Sequence, residues 1–309
     1  MADALVLTGP TAAGKTALGL AVAERLNGEI VSVDSRQVYR GLDIGTAKVS
    51  GAERERVPHH GLDRVDPDER YSAGRFAREA REWIADIRGR GRVPILVGGT
   101  GFFLRALTAP LFREPPLDEA RRGDLNAYLA GIPDERLLAW LRRLDPDSAR
   151  RLREQGGRQR VLRALEVALL TGRPLGWWHR QRPADVPPLD PLTFVLSLPR
   201  ERLYDRINRR VDAMLDAGLV EEVAGLLAAG YRPDAPGMSA AGYGEIVAHL
   251  NGEVGLDEAA DRIRSRTRKY ARRQLTWFRN QLRGDAVWLD GTRPAAALAE
   301  EVVEGWRRC

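Results

Sequence analysis

The sequence predicts an α/β fold: a parallel sheet flanked by helices, with an all-α insertion and C-terminal helices. Three observations predict it. Short apolar runs with little alternation (4–7, 30–33, 93–97, 193–198 and 287–289) read as strands buried on both faces. Helical patterns separate the first three. Between the first run and its helix stands Gly9-Pro10-Thr11-Ala12-Ala13-Gly14-Lys15-Thr16, the G-x-x-x-x-G-K-T spacing of a phosphate-cradling loop. The core is therefore read as P-loop NTPase-like, with its site at the carboxyl ends of the strands.

Taken in order, the loop comes first. Its glycines let backbone N–H groups converge on phosphate oxygens, and the helix from 16 to 26 adds its positive dipole end. Lys15 supplies a point charge, and the Thr16 hydroxyl suits a Mg²⁺ ion bridging two phosphates. The second strand ends on Asp34, beside that loop. It reads first as a general base, with a Mg²⁺-holding acid and a plain turn residue as alternatives. Ser72 is placed to cap a helix running to 89 through Phe76, Ala80, Ile84 and Ile87. The third strand ends in Gly98-Gly99-Thr100-Gly101 with no acid, which suits a second anionic group or a simple tight turn.

From 110 to 191 no strand is expected. Pro-rich stretches at 110–116 and 183–191 bracket helical patterns at 125–129, 136–144 and 161–170. The chain is thus divided into a P-loop core (1–112 and 192–309) and a helical insertion (113–191). After the strand at 193–198 come helices at 202–215 and 220–228. Last is a long helix at 257–281, whose Ile263, Tyr270, Ala271, Trp277 and Phe278 form a stripe expected in the core.

Charge is concentrated. The net charge is +6, yet residues 257–281 hold eight Lys/Arg against three acids, and residues 150–163 hold six Arg against one Glu. The rest of the chain is acidic on balance. Clustered arginine on such a body is the footprint of a nucleic-acid partner, or of two solvated helix faces. With 43% hydrophobic and 30% charged residues the composition is globular. No apolar run is long enough for a membrane span, no signal peptide is expected, and the single cysteine, Cys309, excludes internal disulfides. A cytoplasmic location is expected.

The loop at 9–16 and the run Asp34-Ser35-Arg36-Gln37-Val38-Tyr39-Arg40-Gly41-Leu42-Asp43-Ile44-Gly45-Thr46-Ala47-Lys48 resemble the tRNA dimethylallyltransferases. So do Val97-Gly98-Gly99-Thr100-Gly101, Arg163-Ala164-Leu165-Glu166-Val167, Gly242-Tyr243 and the stretch 267–278, all in family order. The resemblance implies transfer of a dimethylallyl group from its diphosphate to the N6 amine of an adenosine. That adenosine lies 3′ to the anticodon in tRNAs reading codons that begin with U. It implies that residues 9–16 hold the donor diphosphate with Mg²⁺ at Thr16. It also implies that Lys15, Thr100 and Arg206 face that group and that Asp34 takes the N6 proton. Contacts to the tRNA anticodon stem-loop would come from Asp34, Ser35, Arg36, Gln37, Thr100, Arg122, Gln159, Arg160, Val161, Leu162, Arg163, Gly242 and Tyr243.

The chain departs from the family pattern at Gly156-Gly157, where an Asn-Asp pair is frequent, and at Gly244, where Lys or Arg is usual. It lacks the zinc module of eukaryotic relatives and so resembles the bacterial form. A monomer is expected. Three rivals share the phosphate loop: an isopentenyltransferase acting on free adenine nucleotides, a small-molecule kinase, and a non-catalytic RNA-binding ATPase. The first has no need of the insertion or the basic helix.

Overall fold

The computed structural model describes residues 2–109, 115, 117–155, 157–181, 188–282 and 284–309. The elements run β1 (Leu5–Thr8), α1 (Lys15–Leu26), β2 (Gly28–Val33), α2 (Gly51–Arg56), β3 (His59–His60), α3 (Ala73–Gly89), β4 (Val93–Gly98) and α4 (Gly101–Thr108). Helices α5 (Glu119–Ala130), α6 (Asp134–Leu144), α7 (Pro146–Gln155), α8 (Arg158–Thr171) and α9 (Leu175–Gln181) follow. The chain then continues through β5 (Leu192–Ser197), α10 (Arg200–Asp216), α11 (Leu219–Ala228), α12 (Tyr243–Leu250), α13 (Leu256–Gln281), β6 (Val287–Asp290) and α14 (Ala295–Arg308).

The strands form one sheet in the order β3-β2-β4-β1-β5-β6, with every pairing parallel. β1 lies between β4 and β5 with all four residues buried, which is why its sequence is an unbroken apolar run. Leu18 and Val22 of α1 and Leu298, Ala299 and Val302 of α14 close one cluster with Leu5, Leu7, Ile95 and Phe194. Elsewhere Ser72 caps α3 by accepting the Arg75 N–H at 3.1 Å, and Phe76 stacks on Phe103 of α4 with ring centroids 4.4 Å apart.

One charge is buried at the amino end of β2. Glu29 is 1% exposed and takes hydrogen bonds from Arg90, Arg92 and His60. The Arg90 guanidinium outweighs the cost of burial and holds the carboxyl near 2. This cluster anchors the end of the sheet opposite Asp34.

The chain divides into two compact units, Met1–Ala109 with Leu189–Cys309, and Pro110–Pro188. The sequence pattern places the insertion at 113–191, three residues later at each end. The second unit is helical and has its own core, in which Leu129, Leu137, Leu141, Val161, Ala164 and Leu165 pack together. Most of the two Pro-rich stretches, and Gly156, lie outside the described residues.

Candidate active site

All strands are parallel, so their carboxyl ends share one edge of the sheet. β1 delivers the phosphate loop there, β2 delivers Asp34, and β4 delivers Gly98, Gly99 and Thr100. A cavity of about 340 Å³ opens at that edge, lined by Thr11, Lys15, Thr16, Asp34, Gly99 and residues of α10 and α13.

The loop is shaped by backbone constraints. Gly9 has φ 142°, and a Cβ there would lie 2.6 Å from the Leu196 carbonyl oxygen, so only glycine fits. Gly14 caps α1 at φ 99° and Ala12 sits at φ 62°, a left-handed conformation costly for a residue with a Cβ. No side chain caps the first turn of α1, which leaves its N–H groups to an anion. The Lys15 Nζ folds back to donate to the Pro10 carbonyl at 2.8 Å. Burial, reinforced by the Arg210 guanidinium and opposed by the Asp34 carboxylate, pulls the Lys15 ammonium down to about 8.

Asp34 is held by its own turn, its Oδ1 accepting the Arg36 N–H at 2.8 Å. Thr100 immediately precedes α4 but does not cap it with its side chain. Its Oγ1 instead accepts the Ser35 N–H at 3.0 Å, tying the ends of β2 and β4 together. Tyr270 of α13 completes this corner. Burial, then the nearby Asp34 charge, pushes its phenol up to about 12, so it remains a neutral donor, with Thr100 within hydrogen-bonding reach. The stripe on α13 is thus not wholly core: Phe278 is 1% exposed and Trp277 lies against Gly101, but Tyr270 lines the cavity. Helical periodicity marks a face without distinguishing a core from a cavity wall.

Two residues that sequence reasoning missed stand out. Gln274 is buried and donates to the Gly99 carbonyl at 2.8 Å while accepting the Thr11 N–H at 2.9 Å. It therefore clamps the phosphate loop to the β4 turn. Gln274→Ala is expected to weaken donor binding and cost about 1–3 kcal/mol of stability, because a buried carbonyl loses its donor. Thermal unfolding with and without donor checks this, and an unchanged transition under both conditions would remove the clamp. Arg210 lies one helical turn beyond Arg206 and lines the cavity. Its i+4 spacing from Arg206 was the available signal.

Other expected site residues are engaged differently. Arg206 donates to the Ala13 carbonyl at 3.1 Å and the Gly291 carbonyl at 3.0 Å, bracing the phosphate loop from outside. The Arg36 guanidinium binds the Pro236 carbonyl and Ser239 Oγ at 2.9 and 2.8 Å. Gln37 accepts from Ser32 and donates to the Thr46 and Ala47 carbonyls.

Tyr243 requires a correction: its side chain is 0% exposed and cannot touch RNA. The hydroxyl donates to Glu222 at 2.6 Å, and the ring lies so close to Gly45 that a Cβ there would be 2.6 Å from it. Glu222 also accepts the Asp43, Ile44 and Gly45 N–H groups at 2.9, 2.6 and 3.1 Å. The family-like blocks at 43–48 and 242–243 are therefore joined by a carboxylate that neither contains. Gly242, also buried, precedes α12 at φ 108°. Beside Gly244 lies the Arg266 guanidinium, which is occupied by Glu245 and the Ser239 carbonyl.

In the helical unit two of the arginines expected at RNA have a partner within the protein. Arg122 faces Glu166 at 3.1 Å and Arg163 pairs with the same carboxylate. Burial works against the Glu166 charge, but Asn126 and these arginines outweigh it and hold the carboxyl below its ordinary range. Val161 is in the core and Leu162 is half-buried, whereas Gln159 and Arg160 are exposed. The side chains of Arg122 and Arg163 thus organise the unit, and helix packing takes Val161 away from the surface.

The basic helix is also partly neutralised. Arg262 pairs with Glu258, Arg264 with Asp212 and Asp261, and Arg266 with Glu245. Lys269, Arg272, Arg273 and Arg279 are exposed on its later turns, which narrows the positive surface to the stretch nearest Tyr270.

With this geometry in place, comparison with known proteins is decisive. The model for the IPP transferase family matches residues 37–281. The chain belongs to that family. Among similar sequences, a tRNA dimethylallyltransferase of Geobacter metallireducens is 48% identical over 93% of this chain and 92% of its own. One from Maricaulis maris is 45% identical over 97% and 98%. Among solved structures, the tRNA isopentenylpyrophosphate transferase of Bacillus halodurans superposes with a TM-score of 0.70 at 38% identity, covering 99% of this chain and 96% of that one. A eukaryotic dimethylallyltransferase acting on tRNA reaches 0.78 at 30% identity, covering 99% and 77%. As an IPP transferase, the chain is a prenyl-transferring enzyme on a parallel-sheet α/β core. Among the described residues no helix is long and apolar enough to cross a membrane.

Proposed function

We propose that this chain is a tRNA dimethylallyltransferase. It moves the dimethylallyl group of dimethylallyl diphosphate to the N6 amine of the adenosine 3′-adjacent to the anticodon, in tRNAs reading codons that begin with U. The observation that carries the reading is that Lys15, at the start of α1, and Asp34, just after β2, open into one cavity. One supplies a cation for a leaving diphosphate and the other a base for an attacking amine.

In the reaction the N6 nitrogen bonds to C1 of the prenyl group as the C1–O bond breaks. The electron pair leaves with the diphosphate and the N6 proton passes to the Asp34 carboxylate. Negative charge grows on the departing oxygen, where Lys15, Arg210 and the N–H groups of the loop and α1 stabilise it. Arg206 acts by bracing the loop. Thr100 and Tyr270, gathered around Asp34, orient the amine, which must leave the anticodon-loop stack to arrive.

The donor set suits Mg²⁺: Thr16 is exposed on the cavity wall and offers a hard oxygen. Among the described residues no cluster of three His, Cys, Asp or Glu stands ready to hold a metal, so the donor's phosphate oxygens would complete the shell. The ion would neutralise diphosphate charge. Contacts to the anticodon stem-loop are assigned to Gln159 and Arg160 of α8, the Asp34–Gln37 turn, and the exposed cations of α13. The enzyme is taken to act as a monomer in the cytoplasm.

The test is a transfer assay with labelled dimethylallyl diphosphate and Mg²⁺, offering an anticodon stem-loop, AMP, and ADP or ATP. Label on the stem-loop alone is the expected result. Label on the nucleotides would promote the free-nucleotide rival, and ATP hydrolysis without transfer would sink the prenyl reading.

A further inference from the structure

Helix α10 runs away from the phosphate loop, and its inward face changes character along the way. Arg206 touches the loop through the Ala13 carbonyl. The next residue, Ile207, and Arg210 one turn on line the cavity, followed by Val211 and then Met214. Met214 lies eight residues past Arg206, about 12 Å along the axis. An apolar tail extending from a diphosphate bound at Lys15 follows the apolar side of the cavity, because its polar side is taken by the loop, Asp34 and Arg210.

Beyond Met214 the space does not end. A second cavity of about 530 Å³ adjoins the first, lined by Ile44, Lys48, Ser50, Ala213 and Ala217 among others. Four residues line both cavities: Ala47, Val49, Arg210 and Met214. Of these, Ala47 is small and Arg210 serves the phosphate end. Val49 and Met214 are the apolar side chains that separate the two spaces, and both are half-buried. Two exposed alanines, Ala213 and Ala217, follow on the far side with Ile44, and the charged Asp43, Lys48 and Arg54 line the remainder of that space.

We infer that Met214, together with Val49, sets the length of the prenyl group, stopping the tail at one isoprene unit. The inference rests on the proposed function, since it assumes a prenyl diphosphate held at Lys15. Trimming the wall joins the two cavities and admits the second isoprene unit of geranyl diphosphate. The bond exchange is unchanged: C1–N6 forms, C1–O breaks, diphosphate leaves, and Asp34 takes the proton.

The experiment offers equimolar dimethylallyl and geranyl diphosphates to the enzyme with an anticodon stem-loop as acceptor, and reads the ratio of the two products. The wild type is expected to yield mainly the dimethylallyl product. Met214→Ala should raise the geranyl-to-dimethylallyl ratio by at least about tenfold, the scale on which pockets discriminate by methylene count. Met214→Leu, of similar volume, should keep the wild-type ratio. Val49→Ala provides a second opening of the same wall should the first variant fail to fold. A ratio unmoved in folded Ala variants that still transfer dimethylallyl, or a wild type that already uses both donors equally, overturns the inference. A wild type that transfers neither group overturns the prenyl reading itself, a separate outcome.

Discussion

Asp34→Asn is expected to lower the rate of the transfer step by about 10²–10⁴-fold while leaving donor binding nearly intact. Asparagine is the informative replacement because Asp34 has a structural role beside the proposed chemical one. Its Oδ1 accepts the Arg36 N–H and so shapes the turn after β2. An amide oxygen keeps that bond, so the positions of Ser35 and Thr100, linked at 3.0 Å, should persist. What disappears is the carboxylate proposed to take the N6 proton. Single-turnover transfer to a stem-loop, measured beside donor affinity, separates the two roles. A variant within about threefold of the wild-type rate, well short of the usual contribution of a general base, would show that the amine loses its proton elsewhere.

The second large effect is expected at Lys15. Burial and Arg210 hold its ammonium near 8, so above that pH the empty site contains a neutral amine. A bound diphosphate favours the charged form and pushes the value back up. Between about pH 8 and the ordinary lysine value near 10.4, binding therefore takes up a proton, and affinity falls as pH rises. The same shift makes the donor-free protein gain stability as pH climbs through that window, because the unfolded chain binds the extra proton there. Calorimetric titration of donor at about pH 9, in two buffers of different ionisation enthalpy, reads the proton directly. Lys15→Met should abolish the uptake and reduce transfer by about 10²–10³-fold, the cost of removing one preorganised donor from a developing anion. Equal proton uptake in the variant would assign the proton to another group. Because the Asp34 charge opposes the Lys15 shift, Asp34→Asn should move the onset of the pH dependence downward.

Much of this site is legible in the sequence, for a local reason. The phosphate loop is contiguous, and its glycines, lysine and threonine stand at the spacing that the chemistry demands. Asp34 and Gly98-Gly99-Thr100 were readable because each ends an apolar run, and parallel strands end on one edge. β3 was not readable: it is two histidines long and forms only by pairing with Ile30 and Val31. Helix α14 carried a signal in Leu298, Ala299, Val302 and Val303, but its role as a partner of α1 depends on tertiary packing.

Local pattern by itself determined the parallel α/β core, the run of helices that interrupts it, and the Gly-rich loop and Asp34 at the strand ends, because each depends on neighbours in the chain or on strand ends. Tertiary structure alone decided which charged and polar side chains line the cavity and which hold the protein together. Tyr243 and Arg122, expected at RNA, are consumed by Glu222 and Glu166. Gln274 reaches the loop from far along the chain, and Tyr270, expected as part of a helix stripe in the core, reaches the corner beside Asp34. The physical reason is that a buried polar group must find a partner, and its partner is set by the packing of distant elements rather than by spacing in sequence.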